Sequence, residues 1–528
     1  MTTRSLGKRG LVALTGLTMA VVGTVGYSSS AVAAAKPKVL IVDNVFDLKT
    51  VDPGRMFELT GNLIDRALYS TLMTFKGSDA STPVPDLALS YTASADAKTF
   101  TYTLRKNAVF SDGTKVTSAD VVFSLMRVKN LKGNASSYMD GITVTASGPY
   151  TVIVKSDVPN TAIPVIMCSP PLGIVNSKVV KREGGLSDAT ASTNDKAEIF
   201  LNTTSAGSGP YILTKFSLTT EVDLAANPKY WGAQKPGYSK VVIRNVPPNI
   251  QRLDVLKGAT NIAADLAPKQ TVGMKGVNVL RGLGAIVWFM YSNANPKVSP
   301  ISSDVNFQEA IRYGLDYKAL VTLAGPGTIQ TAGIIPNVFL GALKPSDAIV
   351  QDVTRAKAAL AKSVYKGEEM GLRYWAGGGR DGIIFDDLAT RVASQLKTIG
   401  INIKLLPTPI GPALVTYRDG SDALGLWLWG PDWPDSSNYL KFGPGNQVGL
   451  RMGWPAGSDP AIEALMTKAV GEVDPVKRAA DYRQFQLDLN KQSPLIPLLQ
   501  SPSVLVSTKS VKGLKSHPIW LINLNEIS

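Results

Sequence analysis

Alternation of apolar and polar residues predicts several β-strands in the first part of the chain. Residues 99–104 alternate threonine with phenylalanine, tyrosine and leucine, which is typical of a strand with one buried face. Residues 150–154 repeat this period of two. The unbroken apolar run at residues 39–42 suits a strand that is buried on both faces.

Capping signals predict where several helices begin. Thr117, followed by Asp120, resembles a capping box and opens a helix with an apolar face. Asp304 precedes a second amphipathic pattern. At residues 459–460 and 474–475, an aspartate stands directly before proline, an arrangement that favours the first turn of a helix.

A helix followed by a strand indicates the fold class. Residues 388–399 place leucine, valine and isoleucine on one helical face, and Gly400 then ends the pattern. Residues 401–405 alternate as a strand. Helices and strands therefore follow one another closely, and we expect an α/β protein.

Polar and glycine-rich stretches mark two candidate domain boundaries. Residues 183–209 contain many Gly, Ser and Thr residues and are interpreted as a boundary loop, after which a new strand begins at Tyr211. A second, softer boundary is expected at residues 293–303. With 528 residues, the chain is long enough for two or three domains, each with its own core.

The charge balance excludes one class of partner. The chain has 55 Lys and Arg residues against 41 Asp and Glu residues, a net charge of +14. The basic residues are spread along the chain without a run of five or six, so we expect no nucleic-acid partner. The excess charge suits either a weak attraction to anionic envelope polymers or solubility alone.

The chain has one cysteine, Cys168, and one histidine, His517. No intramolecular disulfide, zinc site of Cys and His ligands, or recognisable histidine-dependent catalytic set is therefore expected. We predict a buried thiol and a surface histidine. No phosphate-binding or nucleophile-elbow motif is found, so the sequence predicts a protein that is not an enzyme and has no cofactor or metal.

The first 35 residues have the three-part layout of an export signal. Basic residues precede an apolar stretch at 11–25, and small residues follow up to Ala35. The apolar stretch is short for a membrane span, so cleavage is favoured over an uncleaved anchor. No cysteine lies near the cleavage site, which excludes a lipobox. We expect an exported protein, in a periplasm or elsewhere outside the cytoplasm.

Aromatic residues cluster late in the chain. Five of the eight tryptophans fall between residues 375 and 454. Residues 424–429 predict a strand, which GPDWPD (430–435) breaks into a loop with aromatic side chains and two acids. Such a loop at the end of a strand suits ligand contact, with stacking on the rings and an ammonium group on a carboxylate. Simple packing of these tryptophans is the alternative.

Ordered motifs across residues 39–520 resemble one family. The segments that carry the resemblance are TVDP (50–53), ALYSTLMTF (67–75), PDLA (85–88), the strand, turn and helix at 99–125, GSGPY (207–211), FQEAIRYGLDYKALV (307–321) and GPDWPDSSNYL (430–440). Together they resemble the extracytoplasmic solute-binding proteins of family 5, the peptide and nickel class that serves ABC importers.

The resemblance implies a periplasmic-binding-protein type II fold, with two lobes, a hinge and an extra domain in the first lobe. Segment order assigns residues 36–83, 206–291 and 500–528 to lobe I. The extra domain is expected at 84–205 and lobe II at 292–499. Ligand is expected between the lobes, which close by hinge motion.

The resemblance also implies ligand contacts. In peptide-binding members, the first Asp of the loop motif holds the α-ammonium group, and the matching residue here is Asp432. The tryptophan three positions earlier in that motif matches Trp429, and the segment after the early Asp-Pro pair lines the cleft. The predicted contacts from the loop and this segment are Asp432, Trp429, Trp433, Trp427, Met56, Phe57 and Glu58.

The sequence departs from the family pattern at the position of the carboxylate partner. Leu426 stands where oligopeptide binders can carry arginine; Arg380, Arg418 or Arg451 could replace it, and Arg380 joins the predicted contacts. One histidine does not support nickel binding. The resulting prediction is a monomer that binds short peptides and delivers them to the permease subunits of an ABC importer. The alternative is the same fold with an oligosaccharide or other polar metabolite. A sensory receptor role is compatible with the same fold.

Overall fold

The computed structural model describes residues 38–528. The predicted export signal, residues 1–35, lies outside these residues. Between residues 38 and 528, no helix is both long enough and apolar enough to cross a membrane.

The strands of the described chain alternate with helices along the sequence, as the α/β prediction requires. The strands are β1 (Val39–Asn44), β2 (Met73–Thr74), β3 (Val84–Pro85), β4 (Ala88–Ala93), β5 (Thr99–Leu104), β6 (Ile142–Ala146), β7 (Thr151–Ser156), β8 (Tyr211–Lys215), β9 (Glu221–Ala226), β10 (Lys240–Asn245), β11 (Ile262–Ala263), β12 (Val277–Ser292), β13 (Ile329–Gln330), β14 (Glu369–Trp375), β15 (Gly379–Arg380), β16 (Ile383–Ile384), β17 (Asn402–Thr408), β18 (Leu424–Trp429) and β19 (Leu495–Thr508).

The helices cover the faces of these sheets. They are α1 (Leu59–Leu68), α2 (Ser118–Leu131), α3 (Ile163–Ile166), α4 (Ser177–Arg182), α5 (Ala191–Asn194), α6 (Ala197–Leu201), α7 (Pro248–Lys257), α8 (Val305–Gly314), α9 (Tyr317–Ala324), α10 (Val353–Lys362), α11 (Phe385–Thr398), α12 (Ile410–Arg418), α13 (Gln447–Arg451), α14 (Pro460–Gly471) and α15 (Pro475–Gln492). A 3-10 helix at Ser436–Phe442 matters for the site.

One large sheet runs through both halves of the molecule. Its strand order is β17-β14-β18-β12-β19-β11-β1-β10-β9-β8, with β13 beside β19. β1 is parallel to β10 and β11 at one end of the order, and β14 is parallel to β17 and β18 at the other. Three of the hydrophobic clusters lie along this sheet, one of them around β1 and β10 and another around β14 and β18.

The strands β12 and β19 carry the chain between the two halves. They pair antiparallel from Val277 opposite Thr508 to Tyr291 opposite Leu495, and the register shifts between Leu283 and Val287. Gly284 lies in this interruption, and a Cβ there would collide with the carbonyl oxygen of Ser501. Only glycine permits so close an approach of the two backbones.

A separate antiparallel sheet, β4-β5-β7-β6, forms within the predicted extra domain. The side chains of Phe100, Tyr102 and Leu104 are buried, as their alternation predicts. Thr117 and Asp120 form the predicted capping box at the start of α2. Local alternation and capping thus define this sheet and the helix that packs on it.

The predicted boundary loop at residues 183–209 is wrong in part, because α5 and α6 lie within it. The fully buried side chain of Asp195 pairs with Arg127 at 2.8 Å, and Arg127 also binds Asp52 at 2.6 Å. Asp195 of this segment therefore belongs to a buried ion network that joins it to α2 and to the early Asp-Pro motif. A buried charge needs such partners.

Other local predictions are confirmed. The side chain of Asp304 accepts a hydrogen bond from the Asn306 amide and caps α8. Gly400 has a φ of +98°, a conformation that favours glycine after a helix. Asp459 and Asp474 cap α14 and α15 directly before proline.

The histidine prediction is wrong, whereas the thiol prediction is confirmed. Cys168 is buried, but His517 is only 1% exposed and stacks on Trp520 with ring centroids 3.7 Å apart. The Ile519 amide donates to Nδ1 of His517, so Nε2 carries the proton and donates to the Asp79 carbonyl at 3.0 Å. Burial lowers the pKa of His517 to about 3. The ring of Trp520, three positions along the chain, and the ring of Phe75, distant in sequence, both stack on His517.

Candidate ligand-binding cleft

A cavity of about 540 Å³ lies against the crossing strands. Its lining comes from the carboxyl ends of β1 and β11, the start of α1, residues 284–286 and 502–504, and the hairpin of β15 and β16. Ligands of α/β proteins commonly bind outside the carboxyl ends of parallel strands. The volume falls within the range of about 300–1,000 Å³ that is usual for small-molecule sites.

Arg380 lies on the hairpin at one end of this cavity, and its side chain is 38% exposed. Among the described residues that line the cavity, it is the only Arg or Lys. Its Nε lies 4.0 Å from Oδ1 of Asp381, whose other oxygen accepts a hydrogen bond from Ser501 at 2.6 Å. Arg380 therefore has only a distant counter-ion on its own hairpin.

Asp265 is the second carboxylate near Arg380. It accepts hydrogen bonds from the Val45 amide at 2.7 Å, from Asn44 at 2.9 Å and from Gln251 at 3.2 Å. Burial raises the pKa of Asp265 and of Asp381, and the positive charge of Arg380 opposes the rise in both. At this end of the cavity, one guanidinium group therefore lies near two poorly solvated carboxyl groups.

The hairpin brings an aromatic surface close to its own backbone. Gly378 lies so near the ring of Trp375 that a Cβ would overlap it, and Trp375 lines the cavity. The glycine-rich stretch therefore presents backbone and one aromatic face beside Arg380.

Asp432 lies in the loop after β18, where a short hydrogen-bond network fixes it. Its carboxylate accepts from Lys441 Nζ at 2.6 Å and from Asn438 Nδ2 at 3.3 Å. Oδ1 of Asn438 accepts from the Trp429 indole and from the Asp432 amide, each at 3.2 Å. Asn438 thereby holds both the acid and the ring in place.

Lys441 lies over two tryptophans while it binds Asp432. Its ammonium group is 4.9 Å from the Trp433 ring centroid and 5.8 Å from that of Trp429. Positions three apart lie on the same side of a 3-10 helix, so Asn438 and Lys441 both reach Asp432. Attraction between a cation and an aromatic face adds to the ion pair.

Two aromatic residues from elsewhere approach this loop. Phe57 meets Tyr138 edge to face, with ring centroids 6.2 Å apart. Burial and the charge of Asp432 both raise the pKa of Tyr138. The first half of the chain thus contributes one ring from the segment before α1 and one from the extra domain.

The Asp432 loop packs against the segment that lines the cavity, although Asp432, Trp429 and Trp433 are not among the lining residues. The hydroxyl of Tyr439 donates to the carbonyl of Ala285 at 3.2 Å, and a Cβ on Gly430 would lie 2.8 Å from Ile286. Ala285 and Ile286 both line the cavity. The crossing segment therefore joins a cationic region to an anionic, aromatic region.

Comparison with known families identifies the chain. Residues 82–448 match the family described as bacterial extracellular solute-binding proteins, family 5 Middle. This match spans more than half of the sequence. The chain belongs to this family. The family prediction made from the ordered motifs is confirmed.

Curated relatives of this solute-binding protein extend over nearly its whole length. It is 28% identical over 513 residues to the probable D,D-dipeptide-binding periplasmic protein DdpA of Escherichia coli K12, covering 94% of this chain and 95% of the relative. It is 24% identical over 524 residues to the dipeptide-binding protein DppE of Bacillus subtilis 168, covering 92% and 91%.

Solved structures share the fold. The Listeria monocytogenes ABC transporter substrate-binding protein CtaP aligns with a TM-score of 0.79 at 18% identity, covering 93% of this chain and 99% of CtaP. Helicobacter pylori DppA in complex with the peptide STSA aligns at 0.72 and 20%, covering 93% and 97%. The predicted two-lobe binding-protein fold is confirmed.

The remaining predicted contacts of this family 5 protein have other partners in the structure. Met56 is fully buried, and Glu58 pairs with Lys49 at 2.8 Å. Trp427 is 5% exposed and stacks on Tyr417 at 4.5 Å. Ligand contact by these three side chains stays a prediction, as it does for Asp432, Trp429, Trp433, Phe57 and Arg380.

Sequence reasoning missed several residues of the cleft. The missed side chains are Asn438, Lys441, Tyr138, Asp265 and Asp381. Asn438 lies within the loop motif and Lys441 directly follows it, and the helical spacing from one to the other was a usable signal. Asp265 and Asp381 lie 116 positions apart, and nothing local indicates that they meet beside Arg380.

Proposed function

We propose that the protein is the extracytoplasmic substrate-binding component of an ABC importer and that it binds short peptides in the cleft. The observation that carries the proposal is the pair of opposite charges formed by Arg380, in the cavity lining, and Asp432, in a loop that packs against lining residues 285–286. A short peptide with free ends carries the complementary pair, an ammonium and a carboxylate. The dipeptide-binding names of DdpA and DppE support this ligand class.

Each peptide group has a proposed partner. The carboxylate binds the guanidinium of Arg380, because a planar guanidinium matches a carboxylate in two hydrogen bonds. The α-ammonium group binds Asp432, and apolar side chains of the peptide lie on Trp375, Trp429 or Trp433. No bond is made or broken, so the protein acts as a carrier and not as an enzyme.

Closure of the lobes completes the proposed cycle. The register shift between Leu283 and Val287 interrupts the ladder of β12 and β19 at the cavity, which makes it a suitable bending point. Bending there would enclose the ligand between the halves. The exported monomer would then deliver the peptide to permease subunits in the membrane.

An oligosaccharide or another polar metabolite is the second candidate ligand. The half-buried rings of Trp375, Trp429 and Trp433 favour it, since rings of tryptophan stack well on flat apolar surfaces. Agrobacterium tumefaciens AgaA, solved with agropinic acid, shares the fold with a TM-score of 0.72. Under this alternative, Trp429→Ala weakens binding more than Asp432→Ala, and a free amine on the ligand is dispensable.

Thermal unfolding of the chain without residues 1–35 tests the ligand class. The ligands are dialanine, its N-acetyl and C-amide derivatives, and a mixture of oligosaccharides. A ligand at 100 times its Kd adds about 2.7 kcal/mol to the free energy of unfolding. Stabilisation by free dialanine above both blocked forms supports the proposal. Stabilisation by oligosaccharides alone contradicts it.

A further inference from the structure

The carboxylate proposed for the peptide's ammonium group already holds an ammonium group. Lys441 Nζ lies 2.6 Å from Asp432 Oδ2, and it lies over the faces of Trp429 and Trp433. A carboxylate with two aromatic faces is the environment that a primary ammonium ligand requires. The lysine of the chain therefore reproduces the contacts expected of the ligand.

We infer that Lys441 is an internal competitor for the ammonium site and sets which ligands bind. The inference rests on the proposed function. In the free protein, the lysine neutralises Asp432. A peptide gains the carboxylate only when its own ammonium displaces that of Lys441 into water.

Three properties of Lys441 favour its displacement from Asp432. Its side chain is 22% exposed, so a path to solvent is open. Among the described residues, Asp432 is the one carboxylate within 4.0 Å of its ammonium group. A lysine ammonium is strongly hydrated and sits on a flexible stem, so water accepts it readily once Asp432 is taken.

Because Lys441 occupies Asp432, a ligand that binds through its ammonium group alone gains little binding free energy. A simple amine exchanges one ammonium for another at Asp432 and gains little. A peptide gains a second contact at Arg380, which Lys441 does not block. The protein should therefore select ligands that carry both charges and reject amines that lack a carboxylate.

Calorimetric titration of the purified protein tests this with four variants. Lys441→Met removes the charge and keeps an apolar stem over the rings. Lys441→Arg keeps the charge. Lys441→Met combined with Asp432→Asn removes both partners. Lys468→Met is the matched control, because Lys468 pairs with Asp481 at the same distance of 2.6 Å on α14 and α15.

Dialanine, N-acetyl-dialanine and propylamine are the probes. Lys441→Met should bind dialanine about tenfold more tightly than wild type, because Asp432 is then unpaired before binding. It should bind propylamine more tightly than wild type does, and its affinity for N-acetyl-dialanine should be unchanged. Lys468→Met should stay within twofold of wild type, and neither Lys441→Arg nor the double variant should show the gain.

Two results would overturn the inference while the proposed function stands. If Lys441→Met binds dialanine no better than wild type, the lysine is not a competitor. If the variant binds dialanine more weakly, Lys441 instead positions Asp432 or contacts the ligand. Failure of both proteins to bind any form of dialanine would overturn the proposed function itself, and the inference with it.

Discussion

The two proposed ligand-binding regions each combine a charged side chain with an internal counter-ion, but at different distances. Asp432 and Lys441 are 2.6 Å apart, whereas Arg380 and Asp381 are 4.0 Å apart. The first pair is enclosed by aromatic rings, and the second lies on a glycine-rich hairpin. Under the proposed function, a ligand carboxylate would therefore meet an available cation, while a ligand ammonium would meet an occupied acid.

The largest effect on ligand binding is expected at Arg380, whose counter-ion is distant. Arg380→Met should weaken binding of dialanine by about 2–5 kcal/mol, as when one partner of a desolvated charge pair is removed. The C-amide form has no carboxylate, so the variant and wild type should bind it with the same affinity. Calorimetric titration measures both, and Arg391→Met on the exposed face of α11 is the control. An equal loss for acid and amide would remove Arg380 from the carboxylate site.

A smaller effect is expected at the occupied end. Asp432→Asn should weaken the binding of dialanine by about 1.5–3 kcal/mol, the range for a hydrogen bond to a charged group. The loss is smaller because wild-type Asp432 already gives up a partner on binding. The N-acetyl form should bind the variant and wild type alike, with the exposed Asp419→Asn as control. A loss that exceeds that of Arg380→Met would reverse the comparison.

Acid should lower the free energy of unfolding of the protein through His517, which lines the cavity. The folded pKa of about 3 lies below the unfolded value of 6.5, so stability is present above pH 6.5 and is lost as pH falls. At pH 5, the loss from this residue is about 2 kcal/mol. Denaturant unfolding at pH 7.5 and pH 5 should show that the free energy of unfolding of His517→Phe depends less on pH than that of wild type. Parallel profiles for variant and wild type would contradict this assignment.

The smallest effect concerns the loose counter-ion. Burial raises the folded pKa of Asp381, so its charge opposes folding at neutral pH and not once it is protonated in acid. Asp381→Asn should therefore raise the free energy of unfolding at pH 7, and the gain should vanish in acid, once the carboxyl group is protonated in both states. Its φ of +51° suits asparagine. Dialanine should bind a few times more tightly, and weaker binding would show that Asp381 supports Arg380.

Local signals predicted the parts of the fold that neighbours in sequence determine. The cap at Asp304, the stop at Gly400 and the strand before the Asp432 loop depend on residues a few positions apart. The predicted domain boundaries stay predictions, although the crossing strands lie near residues 291 and 499. The ordered motifs supplied the family, because several weak matches in one order are jointly specific.

Contacts between distant segments could not be predicted. His517 is buried by Phe75, more than 400 positions away, and a histidine before proline gives no sign of that ring. Asp195 belongs to a polar stretch of sequence, and Arg127, which neutralises it, lies 68 positions away. Lys441 lies nine positions after Asp432, and only the 3-10 turn brings the two together.

The buried thiol of Cys168 leaves this protein with no accessible sulfhydryl among residues 38–528. Cysteines introduced in pairs on the two sides of the cleft would thus be the only sites for maleimide dyes. Energy transfer between such dyes would report lobe separation in single molecules without any prior removal of native cysteine. The same labelled chain would serve as an optical sensor for whatever solute it binds.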